Sequence, residues 1–260
     1  MSLPVFAWRN PTYPLDLPKG AIHLWKLKLN NGDVPLERYQ AWLSADEQER
    51  AESFSYEEGR QKFIVSQAGL RFLIGQYQGN RPESVIFTYN PYGKPEINAL
   101  RRGKSLQFNL THSGDLALYA FAREARVGID LELLSRRIEV KRMAPRVLSA
   151  AELESFNSLP ENQQKEAYLL AWTQKEAYLK AIGTGLTREG MKITVDISPE
   201  THPAAEGKGL TLPARAFPIE PWQLFAFSPE AGAIGALAVE SSPSEISGYN
   251  LLLDAEHLGD

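Results

Sequence analysis

The 260-residue chain contains no cysteine. That excludes disulfides, a thiol nucleophile and any zinc site with a cysteine ligand, and it fits a reducing cytoplasm. No apolar run comes near the ~20 residues needed to cross a bilayer. The opening MSLPVFAWRNPTYP lacks the basic and apolar regions of a secretory signal. Positive charge is not in excess: 28 Lys and Arg face 32 Asp and Glu, a net charge of -4. A nucleic-acid surface would therefore have to be local. There is no P-loop, no GxGxxG after a strand and no Ser-His-Asp order. The expectation is a soluble cytoplasmic protein with neither membrane nor nucleic acid as partner. Its composition, 43% hydrophobic and 23% charged, supports a sizeable core.

Periodicity predicts a strand at AIHLWKLKL (21–29), helical segments over about 35–53 and a longer helix near 57–77. A strand at SVIFTY (84–89), a turn at NPYGKP (90–95) and a hairpin over 107–122 follow. VGIDLE (127–132) then restarts the order, with helical segments over about 139–158 and a long helix near 162–182. A strand at KITVDI (192–197) and a hairpin from WQLFAF (222–227) to AIGALAV (233–239) close it. The residue identities of the two stretches do not visibly repeat, but the order of elements does. It points to a duplicated α+β unit: residues 1–125 as one half, 126–240 as the other, and 241–260 as a polar tail. Two such halves would pack as a pseudo-two-fold dimer with the active site in the cleft between them.

Four places carry possible chemistry. In VGIDLE one strand face holds Val127, Ile129 and Leu131, while the other holds Gly128, Asp130 and Glu132. Like charges at i and i+2 repel across roughly 7 Å. Either this is a solvated sheet face, or a magnesium ion lies between the carboxylates. In EAYLLAWTQKEAYLKAIG (166–183), apolar side chains cover nearly the whole helix circumference, and Glu166, Thr173, Glu176 and Lys180 share one narrow arc. A helix so apolar is buried, so Glu176 and Lys180 are more than a surface i,i+4 pair. Lys175 falls inside the apolar arc, where only a snorkelling stem would explain it. FNLTHSG (108–114) puts His112 at a hairpin end between the hydroxyls of Thr111 and Ser113; it is either solvated or a phosphate contact. NPYGKP is either turn chemistry alone or a rigid cradle for a base and its phosphate.

Together FNLTHS, GIDLE, WTQKEAYLKA and the upstream YGKP resemble the 4′-phosphopantetheinyl transferase superfamily, in its monomeric two-half, surfactin-synthetase-activating branch. The resemblance runs from about Leu43 to Leu186. It implies transfer of phosphopantetheine from coenzyme A to a serine of an apo acyl or peptidyl carrier protein, with release of adenosine 3′,5′-bisphosphate. Magnesium, or manganese in its place, would be held by Asp130, Glu132 and Glu176. Glu176 is implied as base for the carrier serine and Lys180 as the contact to the pyrophosphate. Thr111 and His112 are implied at the 3′-phosphate, and Tyr92, Gly93, Lys94 and Pro95 on the adenine side. In LSADEQERAESF (43–54), Glu47 and Arg50 stand where the branch has two phosphate-binding lysines. Arg50 can replace one, and Lys62 or Arg71 on the next helix would compensate for Glu47.

Two other classes use the same residue types. A metal-dependent nuclease or phosphodiesterase would need a basic groove. A non-catalytic coenzyme A or carrier-binding module would not need the three carboxylates and the lysine. One local feature favours an acidic protein partner. Between residues 134 and 148 stand Arg136, Arg137, Lys141, Arg142 and Arg146 against the single acid Glu139. Val140, Met143 and Val147 form an apolar stripe among them, so the segment is the expected carrier-docking surface.

Overall fold

The computed structural model describes residues 3, 5–30, 34–97, 105–185, 193–197 and 221–253. In chain order the strands are β1 (Trp8–Arg9), β2 (Ala21–Lys28), β3 (Phe87–Tyr89), β4 (Pro95–Ile97), β5 (Leu106–Ser113), β6 (Leu116–Arg123), β7 (Val127–Leu133), β8 (Gln223–Phe227), β9 (Ala233–Val239) and β10 (Glu245–Asn250). The helices are α1 (Leu36–Gln40), α2 (Ala45–Glu52), α3 (Glu57–Gln78), α4 (Val140–Val147), α5 (Ala150–Ser158) and α6 (Glu161–Ile182). Among the described residues, no helix is long and apolar enough to cross a membrane.

Strand alternation builds four layers. β2 sends Trp25 and Leu27 toward α3, and Ile22 and Leu24 to its other face. β7 sends Val127, Ile129 and Leu131 into the same layer as Ile22 and Leu24. A five-stranded sheet, β1-β10-β2-β6-β5, therefore packs against a three-stranded antiparallel sheet, β7-β9-β8. α3 covers the first sheet and α6 the second. Each large apolar side chain in these layers is worth roughly 1.5–3 kcal/mol, so the layer between the sheets binds the halves firmly. The fold is α+β with two halves, as expected.

The two halves repeat more than an order of elements. LSADE (43–47) and LSAAE (148–152) share four of five residues, a repeat that the sequence reading missed. Each builds a capping box, Ser44 with Glu47 and Ser149 with Glu152. Each capping glutamate then takes a buried cation from the long helix: Glu47 accepts from Arg71 Nε at 2.6 Å, and Glu152 from Lys175 Nζ at 2.6 Å. Arg71 and Lys175 are each the fifteenth residue of a 22-residue helix. Both helices end in a left-handed glycine, Gly79 and Gly183. Lys175 is thus a fully buried ion-pair member rather than a snorkelling stem, and it also donates to the Val147 carbonyl at 2.8 Å.

Two expectations need correction. The stretch expected as a polar tail, 241–260, contributes a strand: β10 pairs in parallel with β2, matching Ile246 to Ile22. Ile246 fills the layer between the sheets, and Leu251 and Leu253 reach the core under α3, which is why this polar-looking stretch pairs. Residues 254–260 lie outside the described residues. In the expected strand 192–197, Lys192 also lies outside them, and 193–197 forms no ladder. The Val195 N–H donates to Glu152 Oε1 at 2.6 Å, and the Asp196 carbonyl accepts from Gln174 Nε2 at 3.0 Å. Side chains thus satisfy backbone groups that a neighbouring strand would otherwise have paired.

Candidate active site

Gly128 determines how closely α6 lies on β7. A Cβ there would stand 2.1 Å from the Ala177 carbonyl oxygen and 2.4 Å from the Ala181 nitrogen, so only glycine admits the helix. The glycine beside the carboxylates is therefore a packing requirement, and it brings α6 onto their face. Lys180 Nζ donates to Asp130 Oδ1 at 2.6 Å and to Thr111 Oγ1 at 3.1 Å. Thr111 in turn donates to Asp130 Oδ1 at 3.1 Å. Glu132 accepts from Arg136, a residue the sequence reading had assigned to the docking surface. Burial raises the Glu132 carboxyl above its usual range, against the opposing charge of Arg136. Burial, helped by the charge of Asp130, pushes the Glu176 carboxyl up to about 7, with Lys180 pulling the other way.

Asp130 Oδ2 and Glu176 Oε1 are buried and have no hydrogen-bond partner among the described residues. Two orphaned acceptor oxygens are costly unless something positive or protonated meets them. Among the described residues, no three His, Asp or Glu side chains converge as a ready-made metal cage. A magnesium-type ion does not need one, because it takes one or two carboxylates and completes its shell with water and substrate phosphate. The donor set therefore fits such an ion.

Beside Lys180 opens a cleft of about 550 Å³. Of the expected residues, Arg50, Gly93, Pro95, Thr111, His112 and Lys180 line it. All but Lys180 come from the first half, so among the described residues the second half contributes a single wall residue. The sequence reading missed Asp46, Phe63, Gln67, Phe87, Tyr89 and Leu110 in the lining. Phe87 and Tyr89 alternate onto one face next to the NPYGKP turn, which was the available signal. The Arg50 guanidinium lies 5.3 Å from the centre of the Phe63 ring. His112 stands at the open side; desolvation by the walls, then the charges of Lys180 and Lys62, hold its imidazole below the usual range.

Other expected residues sit differently. Tyr92 is exposed and outside the lining. Lys94 turns its side chain away from the cleft, donating to the carbonyls of Ala181 at 3.1 Å and Val127 at 3.3 Å. Burial pushes its ammonium down to about 8. Glu47 lines the cleft too, with its carboxylate paired to Arg71, which also donates to the Pro82 and Val85 carbonyls. Lys62 is paired with Glu58 and Asp115. Arg137, before α4, and Lys141 and Arg142, on it, are exposed, with Lys141 bonded to Glu161. Met143 and Val140 pack on the core beneath α6 and Val147 is buried, so the apolar stripe faces the chain's own interior.

Comparison with known proteins follows the same division. The model for the N-terminal region of 4'-phosphopantetheinyl transferases matches residues 33–124. The model for the 4'-phosphopantetheinyl transferase superfamily matches residues 126–224. The chain is 36% identical over 232 residues to the 4'-phosphopantetheinyl transferase HetI of a Nostoc species, covering 89% of this chain and 93% of that protein. It is 29% identical over 180 residues to the 4'-phosphopantetheinyl transferase psf-1 of Bacillus pumilus, covering 69% and 75% of the two chains. With the 4'-phosphopantetheinyl transferase Sfp of Bacillus subtilis it shares 28% identity over 152 residues, or 58% and 65% of the two. The chain belongs to the 4′-phosphopantetheinyl transferase superfamily.

Proposed function

We propose that the protein is a 4′-phosphopantetheinyl transferase that moves the phosphopantetheine arm of coenzyme A onto a serine of an apo acyl or peptidyl carrier protein, with magnesium, releasing adenosine 3′,5′-bisphosphate. The observation that carries this reading is the pair of orphaned oxygens, Asp130 Oδ2 and Glu176 Oε1, beside the Lys180 ammonium at the wall of the cleft.

Asp130 and Glu176 would hold the ion, with Glu132 beside them on β7 but bonded to Arg136, and manganese serving in place of magnesium. When bound, it would neutralise pyrophosphate charge that grows during phosphoryl transfer. The cleft would take the nucleotide, with Gly93 and Pro95 on the adenine side and Arg50, Thr111 and His112 toward the 3′-phosphate. Lys180 would exchange its bond to Asp130 for one to the pyrophosphate, steadying the leaving group. Glu176 receives the proton of the carrier serine, directly or through a water. The exposed cations Arg137, before α4, and Arg142, on it, would meet an acidic carrier, with Lys141 beside them. The same reading makes the chain a cytoplasmic monomer, in keeping with its lack of cysteine.

Incubation of the purified protein with an apo carrier protein, coenzyme A and magnesium tests the reading by intact mass. A carrier gaining one phosphopantetheine arm, and only when magnesium is present, is the expected result. An unmodified carrier across acyl and peptidyl types would overturn it.

A further inference from the structure

Lys94 and Asn90 fasten the nucleotide side of the cleft to the helix that carries Glu176 and Lys180. The Asn90 side chain faces two ways. Its Oδ1 accepts from the Tyr92 and Lys94 amides at 2.9 and 3.0 Å, which shapes the turn. Its Nδ2 donates to the Gly183 carbonyl at 2.9 Å. Lys94 Nζ donates to the Ala181 carbonyl, on the last turn of α6, and to the Val127 carbonyl at the start of β7. The last carbonyls of a helix have no partner within it, and that end carries partial negative charge. An ammonium and an amide from the other half therefore satisfy them. Gly183 takes the left-handed conformation that ends α6, and a Cβ there would press to 2.8 Å from Asn90 Nδ2 and 3.3 Å from Lys94 Cδ.

This turn also supplies Gly93 and Pro95 to the cleft, and the turn of α6 it grips contains Lys180. We propose that Lys94 and Asn90 are positioning residues: they bolt the β3–β4 arm to the end of α6 and so set the nucleotide wall against Lys180. Lys94 then acts on coenzyme A through the wall, without touching it. The claim rests on the transferase reading for its kinetic consequence but not for the bolt itself.

Two variants separate the parts. Lys94→Met keeps the stem and removes the ammonium. Asn90→Asp keeps the Oδ1 acceptor that shapes the turn but loses the donor to Gly183. In the ligand-free protein, amide exchange over Leu179–Gly183 should quicken roughly tenfold in either variant, the equivalent of about one to two hydrogen bonds. Exchange at the end of α3 should not change. The KM for coenzyme A should rise roughly tenfold, equally for dephospho-coenzyme A, while the carrier KM stays constant. Unchanged exchange in both variants overturns the bolt. Faster exchange with an unaltered coenzyme A KM overturns the positioning role, as does a loss confined to one of the two nucleotides. Wild-type turnover in the same series keeps the questions apart: a failure of the transferase reading shows in the wild type, a failure of the bolt only in the variants.

Discussion

α3 and α6 have the same length, the same glycine end and the same buried cation at the same position, yet only α6 borders a cluster of carboxylates. Ser149 and Glu152 follow Ser44 and Glu47 by 105 residues, while Lys175 and Gly183 follow Arg71 and Gly79 by 104. Carried to the strands, the offset of 105 sets Asp130 on Trp25, Glu132 on Leu27 and Gly128 on His23. Carried along the helices, the offset of 104 sets Ala181 on Tyr77 and Glu176 on Phe72. In the first half, Trp25, Leu27 and Phe72 belong to one apolar core, and the Tyr77 hydroxyl bonds His23 Nδ1 and Trp25 Nε1, each at 2.8 Å. In the second half, Gly128 and Ala181 take the places of His23 and Tyr77 and let helix and strand close up. The large apolar residues give way to acids. The same scaffold position serves the core in one half and, under the proposed function, chemistry in the other.

The largest effects should come from breaking what the halves share. Glu47→Ala or Glu152→Ala leaves a buried cation without its counter-charge, at a cost of about 3–5 kcal/mol in either half by urea unfolding. Equal losses would mark the two knots as equivalent. A loss under 1 kcal/mol in one half would show that its cation finds water.

A smaller effect should sharpen the role of the cleft, which belongs almost wholly to the first half. His112→Ala should weaken coenzyme A more than dephospho-coenzyme A by roughly ten- to a hundredfold in calorimetry, since a charge-assisted hydrogen bond is worth ~1.5–3 kcal/mol. Equal loss for both ligands would remove His112 from the 3′-phosphate.

The smallest concerns the second half's own surface. Arg137→Glu with Arg142→Glu should raise the carrier KM severalfold and leave the coenzyme A KM unchanged, with wild-type activity at low carrier falling as salt rises. An unchanged carrier KM would move docking elsewhere.

Much of this was legible in the sequence because it follows from periodicity. The long helices, the hairpins and the alternation of VGIDLE all appear within an element or a residue or two of their expected bounds. The acid–lysine grouping was legible because Glu176 and Lys180 share the narrow polar arc of the otherwise largely apolar stretch 166–183. What stayed hidden depends on partners distant in the chain. Lys175 looked unaccountable until Glu152 came to it, and Lys94 looked like a ligand until its carbonyls appeared. β10 was unreadable because its pairing with β2 spans more than two hundred residues and gives the strand no local signal.

The central claim is that Asp130 occupies a core position given over to chemistry, and one paired measurement tests it. Asp130→Ala and its counterpart Trp25→Ala are compared for magnesium-dependent transfer and for urea unfolding. The account predicts that Asp130→Ala loses transfer entirely while its unfolding midpoint changes little, because the lost ion pair to the part-exposed Lys180 is offset by removal of the unpartnered Oδ2. Trp25→Ala should lose about 3–5 kcal/mol. Near-normal turnover in Asp130→Ala, with a matched circular dichroism spectrum, would contradict the account.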